Sequence, residues 1–418
     1  MPGLLSLPAL WSTERTTTSL MSDTPQKIRL AFVMNNTPPY RRHLLRRLGR
    51  ELQDVQVLVV LTTPVGSEKR WDAGLDPDWE VVQLTPDNPQ AAAEWARTAA
   101  VDAALLNGYN DPVTIALLRS FGQRGTPVFV RGDSNICGEA GLPWWKRAAK
   151  RLVLRRRLRH CRATMPMGRK GVAYFDHYLS GDRPATLVPY EPDYEAFRSP
   201  DRQRTAELAQ SLQLDPERKR IIFCARLVPV KGVELLIDAF AAVAPAFPDW
   251  DVMIAGDGPL RQSLEQRVPA DLQARVRFLG HIREPWQVAA LYHLSKVMVL
   301  PSRFEPWALV VNEAVASGLA VISSDVVGAA FELVRPGVNG YRFTSGDARS
   351  LEQALRDTLP TERLAALQAG SAQVLADWRR DADPVQGIRD ALGLAGLLPL
   401  DPDSANQKTI QRMRAEVI

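Results

Sequence analysis

Two carboxylates and two cations lie where a predicted strand is followed by a predicted helix. Glu305 and Glu313 stand eight residues apart after a short apolar segment, and Arg226 and Lys231 follow an earlier one. Carboxylates are good acceptors for hydroxyl groups, whereas cations and the free N–H groups at a helix start bind anions. These residue types therefore predict a site for a sugar attached to a diphosphate, in which residues 307–310 supply helix amides.

The elements that must position these residues alternate along the whole chain. Short apolar strands are followed by helical stretches in both halves of the sequence, a rhythm that predicts parallel sheets covered by helices. A polar stretch at residues 196–218 interrupts the rhythm and predicts a linker. The sequence therefore predicts an α/β protein with two Rossmann-like domains, whose parallel sheets face each other across a cleft.

Composition narrows the class of protein. The 418 residues suffice for two domains, and 45% apolar with 24% charged residues is typical of a soluble globular protein. The three cysteines, Cys137, Cys161 and Cys224, are too few and too scattered for a disulfide framework, which favours a reducing cytosol. No Cys/His cluster has metal-ligand spacing, and no apolar run is long enough to span a membrane. We therefore expect a cytoplasmic protein without a metal site.

The second half also carries short glycine-containing motifs. They are Ala-Gly-Asp-Gly-Pro at 255–259, Phe-Leu-Gly-His at 278–281, Val-Val-Gly at 326–328 and Gly-Val-Asn-Gly at 337–340. With the two loops above, they resemble the retaining, nucleotide-sugar-dependent glycosyltransferases of family 4 (group 1). The resemblance covers residues 220–343 and implies the GT-B fold. The Gly-Asp-Gly motif alone would also suggest a dinucleotide site, but it lacks the third glycine of that fingerprint.

The resemblance also implies roles for individual residues. Arg226 and Lys231 would hold the donor diphosphate and serve as catalytic groups, Glu305 would bind the hexose hydroxyls, and Glu313 would bind the ribose. The remaining donor-binding candidates are Gly256, His281, Ile282, Trp307, Ala308, Leu309 and Val310. The family usually carries a small residue or Gly where this chain has Trp307-Ala308. Trp307 is therefore predicted either to reshape the sugar pocket or to pack at the helix start.

A division of the chain follows from the resemblance and from the patterning. The predicted segments are a disordered extension or mis-assigned start (1–24, with Met21 as the alternative first residue), an acceptor-binding domain (25–195), a linker (196–218), a nucleotide-sugar-binding domain (219–378), a helix that crosses back to the first domain (379–395) and a flexible tail (396–418).

The first half departs from the family. The loop after the first strand, residues 35–42, has no glycine, whereas family members commonly have a Gly-Gly pair there. Many members place a His after the strand that here precedes Asp133. Asp133 is a candidate to orient or deprotonate the acceptor hydroxyl, and is equally suited to a turn. The candidates on the acceptor side are Pro39, Tyr40, Asn107, Tyr109, Arg131 and Asp133.

The net charge of +5 hides one strongly basic segment. Residues 146–162 contain nine Lys or Arg and no acid, preceded by Trp144-Trp145. Such a segment predicts contact with an anionic membrane surface or an anionic acceptor. The competing interpretation is a domain helix packed by its first half, with a solvated basic side. Nucleic acid is not expected as a partner, because no aromatic and basic platform accompanies the segment.

These observations predict an enzyme. It would transfer a hexose from a nucleoside-diphosphate sugar to a hydroxyl of a glycan or lipid-linked acceptor, with retention, without a metal ion and with no cofactor besides the donor. We expect it in the cytoplasm, with peripheral attachment at the inner membrane face as the refinement suggested by residues 146–162. Two alternatives remain: a non-catalytic GT-B protein that binds a nucleotide sugar or a partner enzyme, and a GT-B sugar epimerase.

Overall fold

The protein contains two domains, each built on one six-stranded parallel sheet. The structure, a computed structural model, describes residues 27–63, 76–181 and 183–416. The predicted extension at residues 1–24 therefore lies outside the described residues. The central strands are buried and apolar, as strands covered by helices on both faces must be, whereas strands at the sheet edges are partly exposed. The two parallel sheets agree with the α/β architecture of two Rossmann-like domains that the sequence predicts.

The first sheet has the strand order β3-β2-β1-β4-β5-β6. Its strands are β1 (Ile28–Met34), β2 (Val55–Leu61), β3 (Glu80–Gln83), β4 (Ala103–Asn107), β5 (Val128–Gly132) and β6 (Cys161–Pro166). The helices of this domain are α1 (Pro39–Glu51), α2 (Pro89–Thr98), α3 (Pro112–Gln123), α4 (Trp144–Arg157) and α5 (Arg169–Leu179). Several helices begin at an Asn or Asp followed by Pro, as at Asn88 and Asp111, whose side chains accept from Ala91 and Thr114 backbone N–H groups.

The second sheet has the strand order β12-β11-β10-β7-β8-β9. Its strands are β7 (Lys219–Cys224), β8 (Trp250–Ala255), β9 (Val276–Gly280), β10 (Val297–Leu300), β11 (Ala320–Ser324) and β12 (Gly340–Phe343). The remaining helices are α6 (Tyr194–Arg198), α7 (Arg202–Ser211), α8 (Val233–Val243), α9 (Arg261–Arg267), α10 (Pro285–His293), α11 (Leu309–Ala316), α12 (Gly328–Leu333), α13 (Ala348–Thr358), α14 (Thr361–Asp381), α15 (Pro384–Leu394) and α16 (Ala405–Ala415).

Each sheet has one point at which the strand order reverses. In the first sheet it lies between β1 and β4, and in the second between β7 and β10. Loops that leave neighbouring strands at such a point diverge to opposite faces and open a crevice at the carboxyl ends of the strands. The loop with Arg226 and Lys231 follows β7, and the loop with Glu305 follows β10. The topology therefore brings both sequence motifs to one crevice.

The linker predicted at residues 196–218 is not an irregular connector. Its polar sequence forms most of α6 and all of α7, which pack on α10 and α11 of the second domain. The backbone carbonyl of Phe197 accepts hydrogen bonds from Ser317 Oγ at 3.1 Å and pairs with His293 Nε2 at 2.7 Å. A short helix with few apolar residues gives a weak periodic signal, so tertiary contacts decided its structure.

The chain crosses back to the first domain after α14 ends at Asp381. Helix α15 places Val385, Ile388 and Leu392 in the apolar core beneath β1. Arg47 of α1 donates to Asp383 at 2.7 Å and thereby fixes the start of this helix. This is the region, residues 379–395, for which the sequence suggested a crossing helix.

The flexible tail predicted at residues 396–418 is wrong for most of its length. Residues 405–415 form α16, which contacts α5, α14 and α15. Asn406 is buried and pairs with the backbone of Leu187 through two hydrogen bonds of 2.8 and 2.9 Å. Ile410 and Met413 are buried in the core of the second domain. The tail thus ties the two domains together, a contact that a polar sequence of weak periodicity did not indicate.

Candidate active site

The two motifs meet through an ion pair between Lys231 and Glu305. The Lys231 ammonium contacts the Glu305 carboxylate, which also accepts from Ser302 Oγ at 3.0 Å. Both side chains are largely shielded, with 17% of Lys231 and 12% of Glu305 exposed. A cation and a carboxylate 74 residues apart in sequence therefore occupy one point of the crevice between β7 and β10.

The two loops carrying this pair are packed backbone to backbone. Gly232 adopts a φ of 62°, and a Cβ there would lie 2.3 Å from the carbonyl oxygen of Pro301. The backbone N–H of Arg303 donates to the carbonyl of Val230 at 2.8 Å. Only glycine allows both the backbone angle and the close approach, so Gly232 sets how near Lys231 comes to Glu305.

Arg226 differs from Lys231 in being exposed and uncommitted. Its side chain makes no ion pair or hydrogen bond with any residue that the structure describes. The backbone next to Arg226 packs tightly against the loop after β8, because a Cβ at Gly256 would lie 1.9 Å from the carbonyl oxygen of Ala225. A Cβ at Gly258 would likewise lie 2.4 Å from the carbonyl oxygen of Leu227. The glycines of the Gly-Asp-Gly motif therefore support the Arg226 loop, which accounts for them without a dinucleotide.

The start of α11 is the helix terminus that the sequence assigned to phosphate binding. The N–H groups of Leu309 and Val310 lie in its first turn, where the helix itself offers them no carbonyl. Ala308 precedes them with a φ of 79°, a left-handed conformation that glycine adopts freely and alanine does not. The backbone here has the geometry for which the family uses a small residue or glycine.

Trp307 does not face the sugar pocket. Its side chain is only 3% exposed, its Nε1–H donates to Asn312 at 3.0 Å, and its ring lies 5.7 Å from that of Trp378. The sequence left open whether Trp307 reshapes the sugar pocket or packs at the helix start, and the structure shows that it packs. The prediction of Trp307 as a donor-binding side chain is therefore corrected: this indole anchors the helix start to the core of the second domain.

Glu313 lies further along α11 and faces a polar, shielded environment. Its carboxylate accepts a hydrogen bond from the Tyr292 hydroxyl at 3.2 Å. Burial raises the pKa of Glu313 from 4.5 to about 7, and the Tyr292 hydrogen bond opposes that rise. Near neutral pH this carboxyl is therefore present in both protonation states, and can donate to or accept from a hydroxyl.

The last donor candidates follow β9. His281 is exposed, whereas Ile282 is partly buried against the core of the second domain. The backbone carbonyl of Gly280, just before them, accepts from the N–H of Gly256 at 2.8 Å. This bond joins the turns after β8 and β9, so His281 and Ile282 lie along the same carboxyl edge as Arg226.

Across the crevice, the first domain presents a compact polar cluster. Arg41 donates to Asn35 Oδ1 at 2.8 Å and to Asn36 Oδ1 at 2.7 Å. The rings of Tyr40 and Tyr190 lie 4.8 Å apart. Pro39 is the first residue of α1 and holds this loop at the helix start. The loop that lacks the family's Gly-Gly pair is thus built on asparagine and arginine side chains.

Two acceptor-side candidates are structural rather than exposed. Arg131 is 2% exposed and donates to the carbonyls of Val188 and Pro189 at 2.7 Å each, while burial lowers its pKa to about 10. Asn107 accepts from Arg131 at 3.3 Å and donates to the carbonyl of Val33 at 2.9 Å. These side chains fix the carboxyl ends of the strands, so we correct the prediction that Arg131 meets the acceptor directly.

Tyr109 is likewise turned into the protein. It is 3% exposed, and its hydroxyl bonds to Ser134 Oγ at 2.5 Å and to the Tyr174 hydroxyl at 3.3 Å. Burial raises the pKa of this phenol well above its usual range. The expectation that Tyr109 faces the cleft is therefore wrong, because the loop after β4 turns its aromatic ring towards α5.

Asp133 is partly buried at the end of β5. Burial raises the pKa of its carboxyl, and the nearby guanidinium groups of Arg41 and Arg131 oppose that rise. Two residues later, Asn135 reaches the second domain, where its Nδ2 lies 3.4 Å from the backbone carbonyls of both Glu305 and Pro306. The contact with the Glu305 loop is thus made by Asn135, whereas Asp133 lies beside Arg41 and Arg131 of the first domain.

Asn135 itself was missed by sequence reasoning. It is 5% exposed, and its Oδ1 accepts from the N–H of Cys137 at 2.8 Å, which orients its amide towards the Glu305 loop. Gly138 follows in a short 3-10 turn, and a Cβ there would lie 2.8 Å from the ring of Phe304. A polar residue after a strand carries no specific signal in the sequence. The contact of Asn135 with the Glu305 loop exists only because the second domain lies against it.

Two further observations bear on metals and membranes. Among residues 27–63, 76–181 and 183–416, no group of three or more His, Cys, Asp or Glu side chains is placed to hold a metal ion. None of the helices in the same residues is both long and apolar enough to cross a membrane.

The fold and the crevice define a GT-B protein, and comparison with known proteins shows which family its second domain resembles. Residues 204–370 match the family described as Glycosyl transferases group 1. The matched residues lie in and just before the second domain, and they confirm the resemblance stated from the sequence. The match covers the elements that carry Arg226, Lys231, Glu305 and Glu313.

Curated relatives align with a little under half of the chain. The lipopolysaccharide core biosynthesis mannosyltransferase LpsB of Rhizobium meliloti is 33% identical over 199 residues, 45% of this chain and 54% of LpsB. The alpha-D-kanosaminyltransferase of Streptomyces kanamyceticus is 30% identical over 206 residues, 48% of this chain and 53% of that enzyme. The chain thus spans about half the length of these two relatives.

Solved structures extend the likeness to both domains. HepE of Anabaena, crystallised in complex with UDP and glucose, superposes with a TM-score of 0.63 at 17% identity, over 93% of this chain and 99% of HepE. The sucrose-phosphate synthase of Thermosynechococcus elongatus superposes with a TM-score of 0.65 at 18% identity, over 84% of this chain and 96% of that one. At such identity the likeness shows the fold.

Proposed function

We propose that this protein transfers a hexose, with retention of configuration, from a nucleoside-diphosphate sugar to a hydroxyl of a glycan or lipid-linked acceptor. The observation that carries the proposal is the Lys231–Glu305 ion pair at the crevice between β7 and β10. A cation suited to phosphate and a carboxylate suited to hydroxyls share one point there. A sugar diphosphate presents both kinds of group in adjacent positions.

On the donor side, binding of the nucleotide sugar replaces the ion pair between Lys231 and Glu305 with contacts to the donor. The diphosphate draws the Lys231 ammonium away from Glu305 and also engages Arg226, which has no partner among the described residues. The first-turn amides of α11 add their partial positive charge. Glu305, released from Lys231, accepts hydrogen bonds from the hexose hydroxyls. Glu313 holds the ribose further along the same helix.

The chemical step breaks the bond between the anomeric carbon and the diphosphate. Negative charge develops on the leaving oxygen, and the same Arg226, Lys231 and helix amides stabilise it more strongly than in the ground state. The proposal therefore assigns to these groups the role that a metal ion has in other transferases. The incoming hydroxyl approaches on the face that the diphosphate leaves, where a phosphate oxygen accepts its proton. Asp133 orients that hydroxyl from the first domain.

The acceptor is proposed to lie at an anionic membrane surface, to which the protein binds peripherally through α4. The apolar side chains of this helix face solvent: Trp144 is 79%, Trp145 55% and Leu152 72% exposed. This disagrees with the interpretation of α4 as a domain helix packed by its first half. Exposed aromatic and aliphatic side chains beside many cations are typical of a helix that lies in a membrane interface.

The charge of residues 146–162 also supports binding of α4 to an anionic membrane surface. Of its nine cations, Lys150 alone is in an ion pair within the described residues, with Glu139 of the first domain at 2.6 Å. The others are uncompensated or donate to backbone carbonyls, as Arg151 does to His177. Each cation near an anionic surface contributes about 1 kcal/mol, so the segment is strong enough to hold a protein of this size.

A thermal-shift screen with UDP-, GDP- and ADP-sugars, with and without EDTA, tests the donor proposal. The cognate donor at a hundred times its dissociation constant should stabilise the fold by about 2.7 kcal/mol, and EDTA should change nothing. UDP-sugars come first because HepE, of the same fold, binds UDP. The stabilised donor is then incubated with candidate acceptors. Stabilisation without any transfer would favour the non-catalytic alternative, and conversion of the donor's sugar into its epimer would favour the epimerase.

Co-sedimentation with anionic vesicles at low and high salt tests the membrane proposal. Replacing Arg155, Arg156, Arg157 and Arg159 with Gln should release the protein from vesicles and leave nucleotide binding unchanged, because the other domain holds the donor. Binding of the wild type should weaken steeply with salt. A wild type that stays in the supernatant at low salt would contradict the proposal.

A further inference from the structure

A groove lined by arginines runs beside the carboxyl end of α4, at the edge of the first sheet away from the donor crevice. It has two lobes that share Arg159 and His160. The lobe between α3 and α4 has a volume of about 440 Å³, and the lobe at the start of β5 and β6 has about 730 Å³. The donor crevice lies at the opposite, carboxyl ends of these strands, so the groove belongs to a different site.

The groove is strongly cationic and holds no counter-charge. Arg119, Arg156 and Arg157 line the smaller lobe, and Arg162 and Arg183 line the larger one. No carboxylate of the described residues lines either lobe, and none of these five guanidinium groups is in an ion pair there. Like charges gathered in one concavity repel each other, so an anion bound among them is strongly favoured.

The central His160 lies in this positive field. Its Nε2 accepts a hydrogen bond from Arg159 Nε at 3.0 Å, which requires the neutral ring. Partial burial and the nearby guanidinium groups of Arg159, Arg119 and Arg183 lower the pKa of His160. The imidazole is also wedged against the backbone, because a Cβ at Gly122 would lie 2.2 Å from the His160 Cβ. The ring thus forms a fixed wall between the two lobes.

The walls of the smaller lobe also include apolar side chains. Ile115 and Val153 line it. Val153 is 50% exposed and belongs, with Trp144, Trp145 and Leu152, to a stripe of exposed apolar side chains on α4. A soluble anion would fill the cationic part and leave these side chains in water. An amphiphile with a phosphate head covers both, because its acyl chains lie along the stripe while its phosphate enters the lobe. Arginine forks suit phosphate oxygens, which they bind in a bidentate manner.

We infer that this groove binds the phosphate headgroup of an anionic phospholipid. The inference rests on the membrane placement proposed above and deepens it. Diffuse attraction between residues 146–162 and a charged surface needs no particular residue. The groove instead defines a stoichiometric site, to which Arg119 of α3 and Arg183 beyond β6 contribute although neither belongs to the basic segment.

The test separates a phosphate site from diffuse charge by using two vesicles of equal zeta potential. Both consist of phosphatidylcholine, made anionic with phosphatidic acid in one and with oleate, a carboxylate, in the other. By co-sedimentation at physiological salt, the wild type should bind the phosphatidic acid vesicles at least fivefold more tightly. The variant Arg119→Lys/Arg156→Lys keeps every charge but loses two of the three guanidinium forks named for the smaller lobe, and it should lose most of the preference.

The matched control is Lys146→Arg/Lys150→Arg on the same helix, which exchanges the same two residue types outside the groove. It should keep the fivefold preference. Binding of the nucleoside diphosphate, measured by calorimetry, should be the same in all three proteins and shows that each is folded. Because this binding does not involve the groove, failure of the inference and failure of the donor proposal can be told apart.

Three outcomes would overturn the inference. Equal binding of the wild type to both vesicles means that only diffuse charge acts. Inorganic pyrophosphate that binds the wild type in calorimetry, together with no lipid preference, means that the groove takes a soluble anion. If the wild type binds neither vesicle, the membrane proposal fails with the inference. A lost preference with retained vesicle binding concerns the groove alone.

Discussion

Replacing Lys231 or Arg226 with Met should have the same effect on turnover and different effects on stability. Both cations are assigned to the leaving diphosphate, and removing one charge-stabilising group costs roughly a hundredfold or more in turnover. In the resting protein, however, Lys231 is paired with Glu305, whereas Arg226 is exposed and free of partners among the described residues. Only Lys231→Met leaves a shielded carboxylate without its cation.

The magnitude follows from the exposure of the pair. Breaking a fully buried ion pair costs roughly 3–5 kcal/mol, and breaking an exposed one costs about 0–1 kcal/mol. With 17% of Lys231 and 12% of Glu305 exposed, and Ser302 still donating to Glu305, we expect a loss of about 2 kcal/mol in the free energy of unfolding. That loss lowers the melting temperature by about 4–8 °C for a domain of this size. Arg226→Met should change stability by less than about 0.5 kcal/mol.

The assay combines chemical unfolding of both single variants and of the double variant Lys231→Met/Glu305→Gln with turnover measurements. The double variant removes both charges and should recover stability to within about 1 kcal/mol of the wild type, while remaining inactive. If Lys231→Met is no less stable than Arg226→Met, the ion pair is not the resting state in solution. If turnover survives both single changes, or EDTA abolishes it in the wild type, the assignment of the leaving-group charges is wrong.

The remaining predictions concern the donor helix and the contact between domains. Glu305→Gln should slow transfer more than it weakens binding of the free nucleoside diphosphate, and Glu313→Gln should do the reverse; equal losses in calorimetry would refute that division. Because the folded pKa of Glu313 is raised from 4.5 to about 7, its contribution to stability is present below pH 4.5 and lost as pH rises to about 7. The wild type should therefore lose stability relative to Glu313→Gln, which cannot ionise, as pH rises across this range; a difference that stays constant would contradict the raised pKa. Ala308→Gly should stabilise the protein by roughly 0.5–1 kcal/mol, since relief of the left-handed strain exceeds the added entropy of the unfolded chain; a less stable variant would argue against the φ of 79°. Asn135→Ala should lower kcat roughly tenfold by loosening the Glu305 loop, with unchanged affinity for the nucleoside diphosphate in calorimetry, and an unchanged kcat would make Asn135 a packing residue only.

Sequence by itself predicted the architecture, which the structure confirms, and it supplied the proposal for the donor side. The alternation of apolar strands and amphipathic helices is a local signal, repeated often enough to predict two parallel sheets. The order of the strands then places the Arg226 loop and the Glu305 loop at one crevice, because parallel strands carry their carboxyl ends to the same edge. Residue types at these ends were therefore sufficient to predict a sugar-diphosphate site.

Tertiary structure alone decided which side chains face the crevice. Trp307 and Tyr109 follow strands just as Glu305 does, yet both rings are buried, since a large aromatic side chain gains more free energy in the core than at a polar cleft. The position of Asn135 against Glu305, the packing of α16 and the arginine groove all depend on segments far apart in sequence. Such contacts are set by how domains and helices come together, and no periodicity within one segment records them.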